Sequence, residues 1–281
     1  MGIAAMSLVS RSIAAALYAA PLIAFSARAE AGIGDLLVAP TRLVLDGGRG
    51  AEIVLNNIGE EPATYRISIE FRRMKADGSL EDVTEPTAAD KAASDMIIYA
   101  PRRVTLAPHE PQAIRIAARP PQGLPDGEYR VHMLFRAIPP ANPVVQQASA
   151  QAEKGLRLQL TPIYGVTIPV IVRLGNLQAT AGIANVHLDK TSDGAPAVAV
   201  DLTRSGSRST FGEVRVLKAG VKDPIARQRA VAVYTELNSR SVAVPVSQAY
   251  KGEVSGPVTV QYVETFDDGE HVIAETKTVL R

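Results

Sequence analysis

The chain of 281 residues has no cysteine, no tryptophan, only 5% aromatic residues and four histidines. Without cysteine there is no disulfide, no thiolate nucleophile and no thiolate metal site, so the fold must be held by its hydrophobic cores alone. Scarce aromatics argue against an aromatic-lined ligand pocket. Charge of one sign is lacking too: 30 basic against 29 acidic residues give a net of +1, which excludes the basic excess that nucleic-acid binding requires. His109, His132, His187 and His271 are scattered, with no i,i+4 pair to grip a metal, and each reads as a surface or satisfied histidine. There is no G-x-S-x-G elbow and no phosphate-binding G-x-G-x-x-G or G-x-x-x-x-G-K-[ST] run. Gly47-Gly48-Arg49-Gly50 reads as a hairpin turn, because no helix follows it to complete a phosphate cradle. Asp267-Asp268 reads as a turn rather than an acid pair, since adjacent strand positions point to opposite faces. No enzyme, cofactor or metal site is expected.

Long apolar runs are confined to the start. Arg11 precedes an apolar stretch from Ile13 to Phe25, too short to span a bilayer comfortably, and Ala27-Arg28-Ala29 is an A-x-A cleavage site. Residues 1–29 are therefore expected to be a signal peptide, with the mature chain starting near Glu30. No later segment approaches the roughly 18 uninterrupted apolar residues of a membrane helix, so no stable membrane insertion is expected and the mature protein should be soluble outside the cytoplasm.

What remains is rich in strand signals. Tyr65, Ile67, Ile69 and Phe71 alternate with Arg66, Ser68, Glu70 and Arg72, the pattern of a strand with one wet face. Leu37 to Leu45, Ile53 to Leu55, Ile114 to Ile116 and Tyr129 to Phe135 read as further strands, punctuated by Asp46-Gly47, Asp77-Gly78 and Asp126-Gly127. A second set follows: Ala197 to Leu202, Glu213 to Leu217, Val231 to Tyr234, Val242 to Val246, Val258 to Val263 and Val272 to Val279, with turns at Asp193-Gly194 and Asp268-Gly269. The fold class is all-β, with two sandwich domains at 30–173 and 174–281. A loose segment, Pro139-Pro140-Ala141-Asn142-Pro143 and then Gln146 to Gln151, lies inside the first of them.

After that loop, Leu156, Leu158, Leu160, Tyr164, Val166 and Ile168 share one parity between Gly155 and Pro169, broken only by Pro162. A period of two puts them on one face of a single long strand. Its first half reads as an edge strand offered to a partner. The alternative is an interior strand of the first sandwich packed on its own second sheet.

Several stretches, in order, resemble the periplasmic pilus-assembly chaperones of the PapD-like, chaperone–usher family. They are Leu37-Val38-Ala39-Pro40-Thr41-Arg42-Leu43-Val44-Leu45-Asp46, the Ile98-Tyr99-Ala100-Pro101 to Leu106-Ala107-Pro108 segment with Gln112-Ala113-Ile114-Arg115-Ile116, and Gly127-Glu128-Tyr129-Arg130 through Phe135-Arg136-Ala137-Ile138-Pro139. In the second half, Leu202-Thr203-Arg204-Ser205-Gly206-Ser207-Arg208-Ser209-Thr210-Phe211-Gly212 is similar to the archaic branch found with spore-coat-U-type pilins. The resemblance covers essentially the whole mature chain.

It implies two immunoglobulin-like sandwiches in a boomerang arrangement, the first lending its last strand to an incomplete pilin or fimbrial subunit until an outer-membrane usher takes the subunit on. Leu156, Leu158 and Leu160 would insert into the subunit's groove, contributing about 5 to 9 kcal/mol before ordering costs, at roughly 1.5 to 3 kcal/mol for each buried leucine. In the family, an arginine of the first strand and a basic residue of the last strand anchor the subunit's C-terminal carboxylate. Arg42 aligns with that arginine, whose planar fork suits a carboxylate; it also has an alternative reading as a solvated strand arginine. Tyr164 aligns with the family's lysine, a departure from the two-cation anchor, and could donate a phenolic hydrogen bond, or Arg157 could approach instead. Arg115 and Glu128 read as structural, bracing the strand connection or bridging the domains. Two rival classes stay open: a structural or adhesive envelope sandwich that self-associates through the same edge, and an exported carbohydrate- or peptide-active enzyme, for which no polar cluster is evident.

Overall fold

The computed structural model describes residues 35–139 and 163–281. The expected signal peptide and Leu156, Leu158 and Leu160 lie outside these residues. In the first part the elements are β1 (Leu36–Ala39), β2 (Leu43–Leu45), β3 (Ala51–Asn57), β4 (Ala63–Glu70), β5 (Arg72–Met74), β6 (Leu80–Asp82), helix α1 (Ala88–Met96), β7 (Ile97–Ala100), β8 (Arg103–Leu106), β9 (Pro111–Ala118), β10 (Gly127–Ile138) and β11 (Gly165–Leu174). In the second they are β12 (Ala179–Lys190), β13 (Pro196–Gly206), β14 (Thr210–Leu217), β15 (Ala226–Val233), β16 (Ser239–Pro245), β17 (Gly256–Phe266) and β18 (Gly269–Leu280).

Alternation in the sequence becomes two faces in the strands. On β4, Ala63, Tyr65 and Ile67 are buried while Arg66 is exposed. Such strands assemble into a four-stranded sheet, β1-β3-β9-β7, facing a five-stranded sheet, β2-β11-β10-β4-β8. Ile53, Leu55, Ile114, Phe135 and Val170 fill the space between them. A three-stranded sheet, β12-β13-β16, and a four-stranded sheet, β15-β14-β17-β18, make the second sandwich over Val198, Leu202, Val216, Val260 and Tyr262. A small third cluster, Met74, Ile171, Ala232 and Tyr234, forms the seam between the sandwiches. The protein is thus all-β, built as two sandwiches.

Three local expectations need correction. Leu37 to Leu45 is two strands in two sheets, because β1 pairs antiparallel with β3 whereas β2 pairs parallel with β11. Pro40, with no N–H to give a ladder, stands where the chain changes sheets. Since β2 and β3 also lie in opposite sheets, Gly47 to Gly50 is a corner and not a hairpin. Asp46 Oδ1 closes that corner by accepting the N–H groups of Gly48 at 2.8 Å and Arg49 at 3.2 Å, and Gly47 supplies the positive φ of 80°.

The strand expected from Gly155 to Pro169 begins, within the described residues, at Gly165 and continues to Leu174. Finally, α1 and β12 went unanticipated. Helix α1 starts on a reciprocal cap, in which Thr87 Oγ1 accepts from Asp90 N at 3.2 Å and Asp90 Oδ2 accepts from Thr87 N at 2.8 Å.

Candidate functional site

The free edge of the five-stranded sheet sets the site. β11 pairs along its length with β10, from Gly165 opposite Arg136 to Leu174 opposite Gly127. On its other side β2 pairs only with Val170, Ile171 and Val172. From Gly165 to Pro169, that outer edge of β11 therefore has no strand partner among the described residues. An unpaired row of backbone N–H and C=O groups is a template for another strand. Along it, Ile168 is buried in the core and Val166 packs against it, so these two share one face, as their parity requires, and that face is turned inward. Tyr164, just before the strand, is 55% exposed, and its carbonyl accepts from Ala137 N at 2.9 Å.

Arg42 sits where this open edge ends. It occupies the bend just ahead of β2, whose first residue, Leu43, pairs with Val170, the residue after Pro169. Its Nη2 donates to Ser209 Oγ at 3.3 Å, and its guanidinium lies 4.5 Å from the Phe211 ring centroid and 6.0 Å from that of Tyr234. Nη1 is closed to solvent and has no protein partner among the described residues. Burial is the largest influence on this group and pulls its pKa below the ordinary arginine range. The neighbouring Arg173 charge acts in the same direction, while Tyr234, Glu128 and Glu264 oppose both. The guanidinium stays charged throughout the physiological range.

The other seam arginines are differently placed. Arg173 Nε donates to Glu128 Oε2 at 3.0 Å, and the same oxygen accepts Ser209 N and Ser209 Oγ, each at 3.0 Å. Arg130 donates to both carboxylate oxygens of Glu236, at 2.9 and 2.5 Å, and lies 3.7 Å from the Tyr234 ring centroid. Glu128 is thus a bridging residue between the sandwiches. Arg115, by contrast, is exposed and lies 3.5 Å from Glu52, both on the four-stranded sheet. Arg42 has no carboxylate within ion-pair distance among the described residues, and its Nη1 has no protein partner there.

Of the residues singled out from sequence, Arg42 lies at the inner end of the open edge and Tyr164 at its outer end. Five residues along the strand separate Tyr164 from Pro169, roughly 16 Å at the extended rise, so the two are not brought together. The geometry places other groups around Arg42: Ser209, Phe211 and Tyr234 from the second sandwich. His132 corrects the expectation for the histidines. It is 1% exposed, and neither ring nitrogen has a protein partner among the described residues. Burial, followed by the charges of Arg130 and Arg72, lowers its pKa to about 3, with Glu236 opposing, so the ring is neutral. Alternation with Val131 and Met133 marks His132 as outward-facing on its own sheet. Only the arrival of the second sandwich buries it. Among the described residues no group of three or more His, Asp or Glu is arranged to hold a metal, and no helix is long and apolar enough to cross a membrane.

No protein-family model matches the chain, and no curated protein matches it. Solved structures do. A Pseudomonas aeruginosa chaperone, CupB2, is 13% identical with a TM-score of 0.44, over 87% of this chain and all of its own. The Acinetobacter baumannii CsuC–CsuE complex of a chaperone with a tip adhesion subunit, from archaic chaperone–usher pili, is 11% identical with a TM-score of 0.43, over 87% of this chain and 97% of its own. A Salmonella enterica complex of the SafA pilin with the SafB chaperone is 16% identical with a TM-score of 0.43, over 88% and 97%. The chain is similar to these chaperones, the family its sequence resembles.

Proposed function

We propose that this protein is a periplasmic chaperone that binds, stabilises and caps pilin or fimbrial subunits by donor-strand complementation and delivers them to an outer-membrane usher. It acts by binding, without chemistry, from a first domain at 30–173 followed by a second at 174–281. One observation carries this reading: among the described residues the outer edge of β11 has no strand partner from Gly165 to Pro169, and near its end stands Arg42, whose Nη1 has no protein partner there. A guest strand whose C-terminal carboxylate meets Arg42 runs parallel to β11, drawing backbone hydrogen bonds from the edge and an ion pair at its end. The ordered sequence motifs of the pilus-assembly chaperones support the same reading.

The test is to express the protein in a periplasm with candidate fimbrial subunits and recover it by affinity, comparing wild type with Leu158→Glu and Arg42→Ala. A stoichiometric subunit that is lost from folded Leu158→Glu, and weakened in Arg42→Ala, supports strand donation with carboxylate anchoring. Recovery of no subunit by wild type, or undiminished recovery by both variants, rejects it. An oligomer of the protein alone would then favour the self-associating envelope sandwich.

A further inference from the structure

The outer face of the four-stranded sheet carries a ridge, a bare strip and a pair of opposite charges side by side. On β3, β9 and β7 the residues Ile53, Ile116 and Ile97 are buried in the core, so their neighbours along each strand turn outward. Gly50, Glu52, Ile98, Ala100, Arg115 and Ala117 are among the residues lining one open groove there, of about 530 Å³. Strand register orders them in two rows. In one, Arg115 stands between Glu52 on β3 and Ala100 on β7. In the other, Ala117 pairs with Ile98, and Gly50 adjoins it on the opposite side, where a Cβ on the glycine would lie 3.7 Å from that of Ala117. Ile98 is 45% exposed, a ridge beside a floor with almost no side chain. Arg115 Nε lies 3.5 Å from Glu52 Oε1, with the two side chains 86% and 56% exposed, so the pair adds little to the fold and is free to exchange partners.

This face is complementary to itself. A two-fold axis lying along β9 between two copies sets the β3 side of one against the β7 side of the other. Sheets packed face to face keep their strands within about 30° of each other, as such an axis requires. Ile98 of each copy then enters the bare strip at the partner's Gly50, and Ala117 meets the partner's Ala117. In the neighbouring row Glu52 comes to lie over the partner's Ala100, too short to oppose it, within reach of the partner's Arg115. We propose that two copies of this chain associate through the outer face of the four-stranded sheet, with Ile98 seated at the partner's Gly50 and Arg115 paired with the partner's Glu52. Opposite charges one strand apart favour a second copy over an arbitrary apolar surface, because the partner must present the same two signs in reversed order. The open edge of β11 belongs to the other sheet and takes no part. Three short strands bury little area, at the low end of specific interfaces, so the dimer is weak.

The experiment is sedimentation of the processed protein over roughly 1 to 500 µM, bracketing the 10 to 100 µM midpoint expected of so small an interface. Wild type should pass from monomer to dimer. Glu52→Arg leaves only positive charge in the row and Arg115→Glu only negative, so each alone should have its dissociation constant raised at least about tenfold. Ile98→Asp, which puts a charge where the ridge enters, should do the same. An equimolar mixture of Glu52→Arg and Arg115→Glu should dimerise as wild type does, since each supplies the sign the other lacks, and that recovery also shows both variants to be folded. Leu158→Glu should leave the association unchanged. A wild type monomeric to the top of the range, association that survives the substitutions at Glu52, Arg115 or Ile98, or a mixture that recovers nothing overturns the proposal. Association lost only in Leu158→Glu overturns it too, and assigns self-association to the β11 edge.

Discussion

Arg130 and Glu236 form a two-pronged ion pair across the seam, with Nη1 to Oε2 at 2.9 Å and Nη2 to Oε1 at 2.5 Å, their side chains only 6% and 20% exposed. Glu236 also accepts the Met74 N–H at 2.9 Å, so one carboxylate fastens β10 and β5 to the second sandwich. Burial alone would raise its pKa; the Arg130 hydrogen bonds and charge outweigh that and lower it. Arg130→Met leaves a largely buried carboxylate unpaired and should cost about 3 kcal/mol in urea unfolding at neutral pH. The loss should shrink toward pH 4 as Glu236 in the variant takes up a proton.

Glu128 takes three hydrogen bonds on a single oxygen, from Arg173 and from the Ser209 amide and hydroxyl. Its side chain is 1% exposed. Glu128→Ala strands all three donors and should cost about 3 to 5 kcal/mol, with Glu128→Gln costing less because the amide oxygen still accepts. Thermal unfolding of the two variants beside wild type checks the order.

His132 predicts how stability responds to acid. The unfolded chain binds a proton near the ordinary pKa of 6.5, which the folded imidazole refuses until about pH 3. This group's share of stability is therefore complete above pH 6.5 and is lost as pH falls toward 3, by about 1.4 kcal/mol per unit. Between pH 6.5 and 4.5, wild type should lose about 2 to 3 kcal/mol more than His132→Phe. Parallel urea titrations of the two proteins that show equal losses would contradict this.

Gly212 tolerates no side chain. A Cβ there would stand 2.0 Å from the Val263 carbonyl oxygen and 2.8 Å from its carbon, both backbone atoms that cannot turn away. Gly212→Ala should force β14 from β17 beside Phe211, at a cost of about 3 kcal/mol or more in calorimetric unfolding.

A milder effect is expected at α1. Thr87→Ala removes the cap hydroxyl that accepts from Asp90 N, and should cost about 1 kcal/mol. Arg73, 2.5 Å from Asp90, holds the carboxylate in place in the variant.

These positions show what the sequence could disclose. Alternation located most strands, and the shared parity of Val166 and Ile168 matches the face on which Ile168 is buried and Val166 packs, because burial on one face leaves a period-two trace. The cap at α1 leaves a trace in the sequence, Thr87 followed three residues later by Asp90, but a nine-residue helix among strong strand signals gives little periodicity to go with it. The change of sheet between Ala39 and Leu43 left a subtler trace, a slip of parity: the even position Val38 is buried on β1, whereas the odd positions Leu43 and Leu45 are buried on β2. Arg42 was found through its motif. Its companions were not, because Ser209, Phe211 and Tyr234 approach it across more than 160 residues of chain, and no local pattern encodes that approach. His132 was misjudged for the same reason: its own strand turns it outward, and a distant sandwich covers it.

The brevity of β2 has a last consequence. It occupies the outer edge of β11 only from Val170 to Val172, so a strand laid along the open stretch from Gly165 is halted after five residues, roughly 16 Å, by the first residue of β2. On the proposed function the sheet would act as a ruler with a fixed stop, aligning a guest by the distance to its terminus, whatever the guest's side chains, so that one such edge would hold unlike strands in a common register.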